Sequence, residues 1–126
     1  MGSCDRDASF ALLDTYYDLG GNFIDTANAY QGGQSEQFIG EWMEERGRRS
    51  EIVLATKYTM SPKGGQPIQQ SNWGGTGSKS LKNSLDLSLK NLRTDYVDIV
   101  SLALFSWTHT AHLDTWRFPM PSTVAT

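Results

Sequence analysis

The sequence predicts an α/β fold in which a parallel sheet of three strands is flanked by helices. Three short apolar runs show almost no alternation with polar residues, which is typical of strands buried on both faces. They lie at residues 22–26, 51–57 and 96–100. A segment with the apolar spacing of a helix precedes each run. A strand, a helix and a second strand in succession make the two strands parallel.

The first predicted helix ends at Gly20 and has Asp7 or Ser9 as its N-cap. Its apolar residues are Phe10, Leu12, Leu13, Tyr16, Tyr17 and Leu19. The first strand, residues 22–26, follows Gly21 directly.

The second helix is predicted to begin at Ser35, which can cap its first turn, and to stop at Gly47. One apolar stripe along it is formed by Phe38, Ile39, Trp42 and Met43. The second strand occupies residues 51–57.

A loop rich in Gly, Pro and Gln, from about residue 59 to residue 77, leads to the third helix, for which Ser78 or Ser80 is the predicted cap. Leucines spaced by four, four and three residues predict a single buried face, formed by Leu81, Leu85, Leu89 and Leu92. The third strand is predicted over residues 96–100.

Three polar residues, Asp25, Tyr30 and Lys57, lie at or just beyond the ends of the first two strands. Parallel strands lie about 4.8 Å apart, so Lys57 can reach Asp25 if these strands pair directly. A phenol gives up its proton with difficulty near neutral pH, and a nearby ammonium group stabilises the phenolate. A carboxylate can in turn hold the ammonium group in place, so the three residues form a candidate proton-transfer site.

The segment from Gly21 to Tyr30, followed by Ser35-Glu36 and Ile39-Gly40, resembles the aldo-keto reductases. It is most similar to their fungal aryl-alcohol dehydrogenase branch, which residues 1–5, 55–58 and 80–98 also resemble. The resemblance extends from residue 1 to about residue 99. We therefore expect residues 1–99 to be part of an aldo-keto reductase barrel and residues 100–126 to be an irregular tail from outside the family.

The resemblance implies a (β/α)8 (TIM) barrel that uses NADP(H) to reduce an aldehyde or ketone, or to oxidise an aryl alcohol. In it Tyr30 is the proton donor, Lys57 and Asp25 tune that tyrosine, and Asp25 also contacts the cofactor. The family places a His at the end of the fourth strand, where this chain has Ala103. His109 and His112 follow six and nine residues later, which favours a solvated position for both.

A barrel of this type takes about 250 residues, whereas the chain has 126. The sequence thus predicts about three βα units with exposed sheet edges. We expect a reductase-like chain of fungal secondary metabolism that is inactive at this length. The alternative is a non-catalytic remnant, or a subunit that pairs with a full-length homologue through those edges.

Composition excludes several other classes of protein. The net charge of −3 is too small to suggest a nucleic-acid partner. The single cysteine, Cys4, excludes an internal disulfide bond, and no metal-ligand set is predicted. No run approaches the ~20 apolar residues of a membrane span, so we expect a cytoplasmic protein. The family resemblance implies a small-molecule carbonyl or alcohol substrate.

Overall fold

The computed structural model describes residues 4–103, and the structural statements below concern these residues. The helices are α1 (Arg6–Asp18), α2 (Gln34–Arg46) and α3 (Ser78–Asn91). The strands are β1 (Phe23–Asp25), β2 (Val53–Tyr58) and β3 (Ile99–Leu102). The alternating order of helices and strands predicted from the sequence is confirmed.

The three strands form one parallel sheet in the order β1-β2-β3. Ile24 in β1 is the register partner of Leu54 in β2, and both are buried. The core lies where these two side chains meet α1 and α2, and it includes Phe10, Leu13, Ile39, Trp42 and Met43. Burial of this apolar surface is the main stabilising contribution to the fold.

The predicted N-caps of the first two helices are wrong. The N-cap of α1 is Asp5, not Asp7 or Ser9, because Asp5 has the extended backbone that places its carboxylate over the first turn. At α2 the N-cap is Gly33, whereas Ser35 lies inside the first turn and is buried. Its hydroxyl is therefore turned into the molecule instead of toward the helix end.

The predicted cap of α3 is also wrong, and its predicted leucine face is confirmed only in part. Gly77 is the N-cap, without a side-chain hydrogen bond, and Ser78 begins the helix. The fully buried positions are Ser80, Ser84 and Ser88, whose small side chains let α3 lie close to α2 and β2. Of the predicted leucine face, Leu92 alone is fully buried, while three members are half-buried: Leu81, Leu85 and Leu89.

β3 begins three residues later than predicted, because the preceding residues bind a side chain. The guanidinium of Arg49 donates to the carbonyl oxygen of Tyr96 at 3.0 Å and to the Asp98 carboxylate at 2.9 Å. The same carboxylate accepts the Leu54 N–H at 2.8 Å. Regular pairing with β2 therefore starts only at Ile99. β3 thus extends across residue 99, the predicted boundary between the family segment and the tail.

One face of α1 and the outer edge of β1 are apolar and uncovered by the described residues. Leu12 and Leu19 are 57% and 83% exposed, and Phe23 in β1 is 49% exposed. Together with Tyr16 they line an open groove of about 780 Å³. β1 and β3 are the two edges of the described sheet.

Asp14 joins α1 to α2. Its carboxylate accepts hydrogen bonds from the indole N–H of Trp42 at 2.9 Å and from the guanidinium of Arg46 at 2.9 Å. The Arg46 hydrogen bond and then the Trp42 hydrogen bond lower the pKa of Asp14 from 3.8 to about 2. The carboxylate therefore stabilises the fold only while it is ionised.

We expect the destabilisation caused by Asp14→Asn to depend on pH in a defined window. The folded-state pKa lies below the unfolded value, so the contribution of Asp14 is fully present above about pH 4. It is lost as the pH falls toward 2. Urea denaturation at pH 6, 4 and 3 should show the difference between wild type and variant shrinking with pH. Asp95→Asn, at an exposed carboxylate, is the control; an Asp14 effect that is equal at all three pH values would contradict the assignment.

Candidate active site

Asp25 and Lys57 meet at the carboxyl edge of the sheet. Asp25 ends β1 and is the register partner of Ala55, so Lys57 lies two residues further along β2 on the same face. The ammonium group of Lys57 donates to the Asp25 carboxylate and, at 3.1 Å, to the carbonyl oxygen of Thr26. The side chain of Lys57 is 21% exposed and that of Asp25 is 48% exposed. The pair predicted from the order of the strands is therefore formed.

Tyr30 reaches the same edge on a tight turn between β1 and α2. The Asn28 N–H donates to the carbonyl oxygen of Lys57 at 3.2 Å, which holds the start of this turn against β2. Gln31, Gly32 and Gly33 then have φ values of 47°, 65° and 96°. This run of left-handed residues reverses the chain within a short segment. Gly33 adopts its left-handed conformation without strain because glycine has no Cβ atom. The turn leaves the Tyr30 side chain above the strand ends and 44% exposed.

The three predicted site residues form one cluster. The ammonium nitrogen of Lys57 lies 5.4 Å from the centroid of the Tyr30 ring, within the range in which a cation is attracted by an aromatic face. Tyr30, Lys57 and Asp25 thus follow one another as phenol, ammonium and carboxylate. An ammonium group has three N–H donors, and the contacts to Asp25 and Thr26 engage two of them.

Four further residues contact each other beneath this cluster; the sequence predicted Ser35 as a helix cap and gave none of the four a role in the site. The hydroxyls of Thr26 and Ser35 lie 3.0 Å apart, both buried. The hydroxyl of Thr56 donates to the Glu36 carboxylate at 2.7 Å. A signal was present in the sequence, because Glu36 lies three, four and seven residues before the inward-facing residues Ile39, Gly40 and Met43.

The position at which the family resemblance implies a histidine lies at the same edge. Ala103 follows β3; its N–H donates to the carbonyl oxygen of Tyr58 at 2.9 Å, and its own carbonyl accepts from the Thr59 hydroxyl at 2.7 Å. His109 and His112 lie outside the described residues.

Two further kinds of feature are absent from the described part of the chain. Residues 4–103 contain no group of three or more His, Cys, Asp or Glu side chains that could hold a metal ion. Over the same residues, none of the helices combines the length and the apolar character needed to cross a membrane.

Comparison with known proteins identifies the family of these residues. The model of the aldo/keto reductase family matches residues 1–118. An aryl-alcohol dehydrogenase of Pestalotiopsis microspora is 70% identical over 100 residues, which is 79% of this chain and 26% of that protein. Norsolorinic acid reductase of Aspergillus flavus is 52% identical over 110 residues, which is 86% of this chain and 28% of that protein. The chain thus spans about a quarter of the length of these relatives.

Solved structures show the same likeness. The holo form of aldo-keto reductase AKR11C1 from Bacillus halodurans matches with a TM-score of 0.67 and 34% identity, over 78% of this chain and 31% of that chain. An aldo-keto reductase from Klebsiella pneumoniae in complex with NADPH matches with a TM-score of 0.58 and 30% identity, over 77% of this chain and 29% of that chain. The predicted fold class, a partial barrel of parallel βα units, is confirmed.

Proposed function

The chain belongs to the aldo/keto reductase family, and from that membership we propose that its site transfers the proton in an NADPH-dependent reduction of an aldehyde or ketone. In the reverse direction the same site oxidises an aryl alcohol. The observation that carries the proposal is the position of the Lys57 ammonium group, which contacts the Asp25 carboxylate while lying over the ring of Tyr30.

The phenol hydroxyl of Tyr30 is the proton donor. As the carbonyl carbon of the substrate is reduced, its oxygen gains negative charge and takes the phenol proton. The phenolate that remains is stabilised by the adjacent ammonium group of Lys57, and Asp25 keeps that group in place. Tyr30 is 44% exposed, so water can return the proton; in the oxidative direction the proton moves from the alcohol to the phenolate.

The residues at this edge fit the nicotinamide end of NADPH. One carboxylate oxygen of Asp25, Oδ2, is engaged by Lys57, and no hydrogen bond among residues 4–103 involves Oδ1. That oxygen would be free to accept a hydrogen bond from the cofactor, and the sequence resemblance implies that Asp25 contacts it. When bound, the cofactor supplies the hydride that reduces the carbonyl carbon.

The proposed substrates are aromatic carbonyl compounds or alcohols. This part of the proposal is supported by the names of the relatives, an aryl-alcohol dehydrogenase and a norsolorinic acid reductase. A role in fungal secondary metabolism is proposed on the same basis. The cytoplasmic location and the division of the chain at residue 99 stay predictions from the sequence.

A second candidate function is that of a non-catalytic partner of a full-length homologue. It is favoured by the open apolar groove between α1 and β1, which exposes Leu12, Leu19 and Phe23. An exposed apolar patch beside an edge strand is typical of an interaction surface. The inactivity that the sequence analysis expected of the reductase-like chain stays a prediction, and it is compatible with this candidate.

NADPH titration followed by tryptophan fluorescence separates the two candidates. Saturable quenching in a folded sample, together with NADPH-dependent reduction of an aromatic aldehyde, supports the reductase. A folded sample that neither quenches nor reduces the aldehyde, but co-elutes with a full-length homologue in size-exclusion chromatography, supports the partner.

Replacing Lys57 with methionine is expected to lower kcat for aldehyde reduction by about 100-fold or more, because the phenolate loses its neighbouring cation. The free energy of unfolding should change by less than about 1 kcal/mol, since the lost ion pair is partly exposed. Steady-state kinetics and urea denaturation measure the two effects. Lys79→Met, at an exposed lysine on α3, is the matched control. Unchanged kcat in Lys57→Met would remove Lys57 from the mechanism.

A further inference from the structure

Glu36 is the one carboxylate among the described residues that is fully buried, at 0% exposure. No Lys or Arg of the described part of the chain lies within ion-pair distance of it. A buried charge without a counter-ion is costly unless hydrogen bonds and dipoles replace water. Hydrogen bonds must therefore take the place of water around Glu36, and the proton transfer described above does not use this carboxylate.

Hydrogen bonds from two other elements converge on the Glu36 carboxylate. Oε1 accepts from the Thr56 hydroxyl at 2.7 Å, and Oε2 accepts from the Asn91 amide at 3.0 Å. Glu36 itself lies in the first turn of α2, where the helix dipole favours negative charge. The carboxylate therefore ties together the start of α2, the end of β2 and the end of α3.

The strand contact of this carboxylate is adjacent to the proposed active site. Thr56 directly precedes Lys57 in β2, so a hydrogen bond that fixes Thr56 also fixes the direction in which the Lys57 side chain leaves the strand. Just past the end of β1, the Ser35 hydroxyl contacts that of Thr26, whose carbonyl oxygen accepts from Lys57 at 3.1 Å. Ser35 and Glu36 are consecutive in α2. Ser35 contacts Thr26, which is next to Asp25, and Glu36 contacts Thr56, which is next to Lys57.

The same network reaches Tyr30 through the turn that precedes α2. A Cβ atom at Gly33 would lie 3.2 Å from the amide nitrogen of Asn91, so Asn91 lies against the turn as well as against Glu36. Asn91 at the end of α3 therefore lies against both Glu36 and Gly33, the last residue of the turn that carries Tyr30.

We propose that Glu36 is a positioning residue for this site: through Thr56 and Asn91 it sets where Lys57 and Tyr30 stand at the carboxyl edge of the sheet. The inference deepens the proposed function and rests on it. Glu36 touches no reacting atom, so it acts only through the residues it holds.

The Thr56 side of the contact gives the sharpest test. Thr56→Val keeps the shape of the side chain but removes the hydroxyl donor, whereas Thr56→Ser keeps the donor. We expect Thr56→Val to lower kcat by about tenfold, with little change in KM for NADPH, and Thr56→Ser to retain nearly wild-type kcat. Glu36→Gln removes the charge and replaces one acceptor oxygen with an N–H donor, but its amide oxygen can still accept from Thr56, so we expect a smaller loss of kcat than in Thr56→Val. Ile52→Val, at the other end of β2, is the control for a general loss of core packing.

A readout that needs no activity separates this inference from the proposed function. The NMR correlation of the Lys57 ammonium group, assigned by its absence in Lys57→Arg, reports the position and hydrogen bonding of that group directly. We expect the signal to shift or disappear through faster exchange with water in Thr56→Val and Glu36→Gln, and to stay in place in Thr56→Ser and Ile52→Val. A wild-type protein without reductase activity would defeat the proposed function while this comparison still decides the role of Glu36.

An unchanged Lys57 signal in folded Thr56→Val would overturn the inference, and a lower unfolding midpoint in the same variant would then make the network purely structural. If Glu36→Gln does not fold, the Thr56 pair decides the question alone, because Thr56→Val removes the donor of this hydrogen bond and Thr56→Ser keeps it.

Discussion

Replacing Gly40 with alanine is expected to lower the free energy of unfolding by about 3 kcal/mol, the upper part of the range for overpacking a core. Gly40 lies in the middle of α2, where α2 passes the end of α3. A Cβ atom built on it would lie 2.6 Å from the carbonyl oxygen of Asn91 and 2.7 Å from the Cα atom of Leu92. Both are backbone atoms, so neither can move aside as a side chain would. The two helices must separate, and the contacts of the buried Leu92 are lost with them.

The sign of this effect makes the experiment informative. Helix propensity alone predicts that alanine stabilises an interior helical position by about 1 kcal/mol relative to glycine. Destabilisation in urea denaturation would therefore come from the close approach of the helices. Gly64→Ala is the control, because its new Cβ would meet its nearest neighbour, the carbonyl oxygen of Ser61, at 3.8 Å. A higher midpoint for Gly40→Ala would show that α2 and α3 are further apart than described.

Replacing Tyr30 with phenylalanine is expected to lower kcat for aldehyde reduction by about 100-fold or more, since proton transfer by a positioned group contributes 10²–10⁴-fold. Only the hydroxyl is removed, and the ring that lies near the Lys57 ammonium group remains. We therefore expect NADPH affinity and the unfolding midpoint to stay close to their wild-type values. Fluorescence titration and steady-state kinetics on the same sample measure both quantities.

Tyr96→Phe is the matched control for this variant. Tyr96 has the same exposure as Tyr30, 44%, and its ring also lies near a cation, the guanidinium of Arg49. Loss of a phenol hydroxyl at Tyr96 should leave kcat unchanged. Equal activity in the Tyr30 and Tyr96 variants would contradict the proton-donor role of Tyr30.

Local sequence patterns predicted which elements exist better than where they begin. Gly47 ends α2 as predicted, because its left-handed conformation, with φ of 63°, is one that glycine adopts freely. The N-caps were missed because capping depends on backbone angles that a Ser or Asp in the right neighbourhood does not determine. At α3 the leucine spacing identified a helix, but packing against α2 and β2 turned Ser84 inward instead of Leu85.

The role of Glu36 and the start of β3 could not be predicted from local sequence patterns. Glu36 was overlooked because a Glu near a helix start usually caps or faces water, and only the packing of α2 against β2 and α3 buries it. The start of β3 was misplaced because Arg49, nearly fifty residues earlier in the chain, binds Tyr96 and Asp98. Contacts between residues so distant in the chain leave no local pattern.

The order of the elements makes Asp25 and Lys57 neighbours if their two strands pair directly. Strands joined through a helix are parallel, and parallel strands end at the same edge. That the two strands pair directly is seen only in the packed sheet. Packing also sets the positions of Tyr30 near Lys57 and of Glu36 beneath the strand end. Those positions depend on a left-handed turn and on hydrogen bonds between α2, β2 and α3, which exist only once the three elements have packed together.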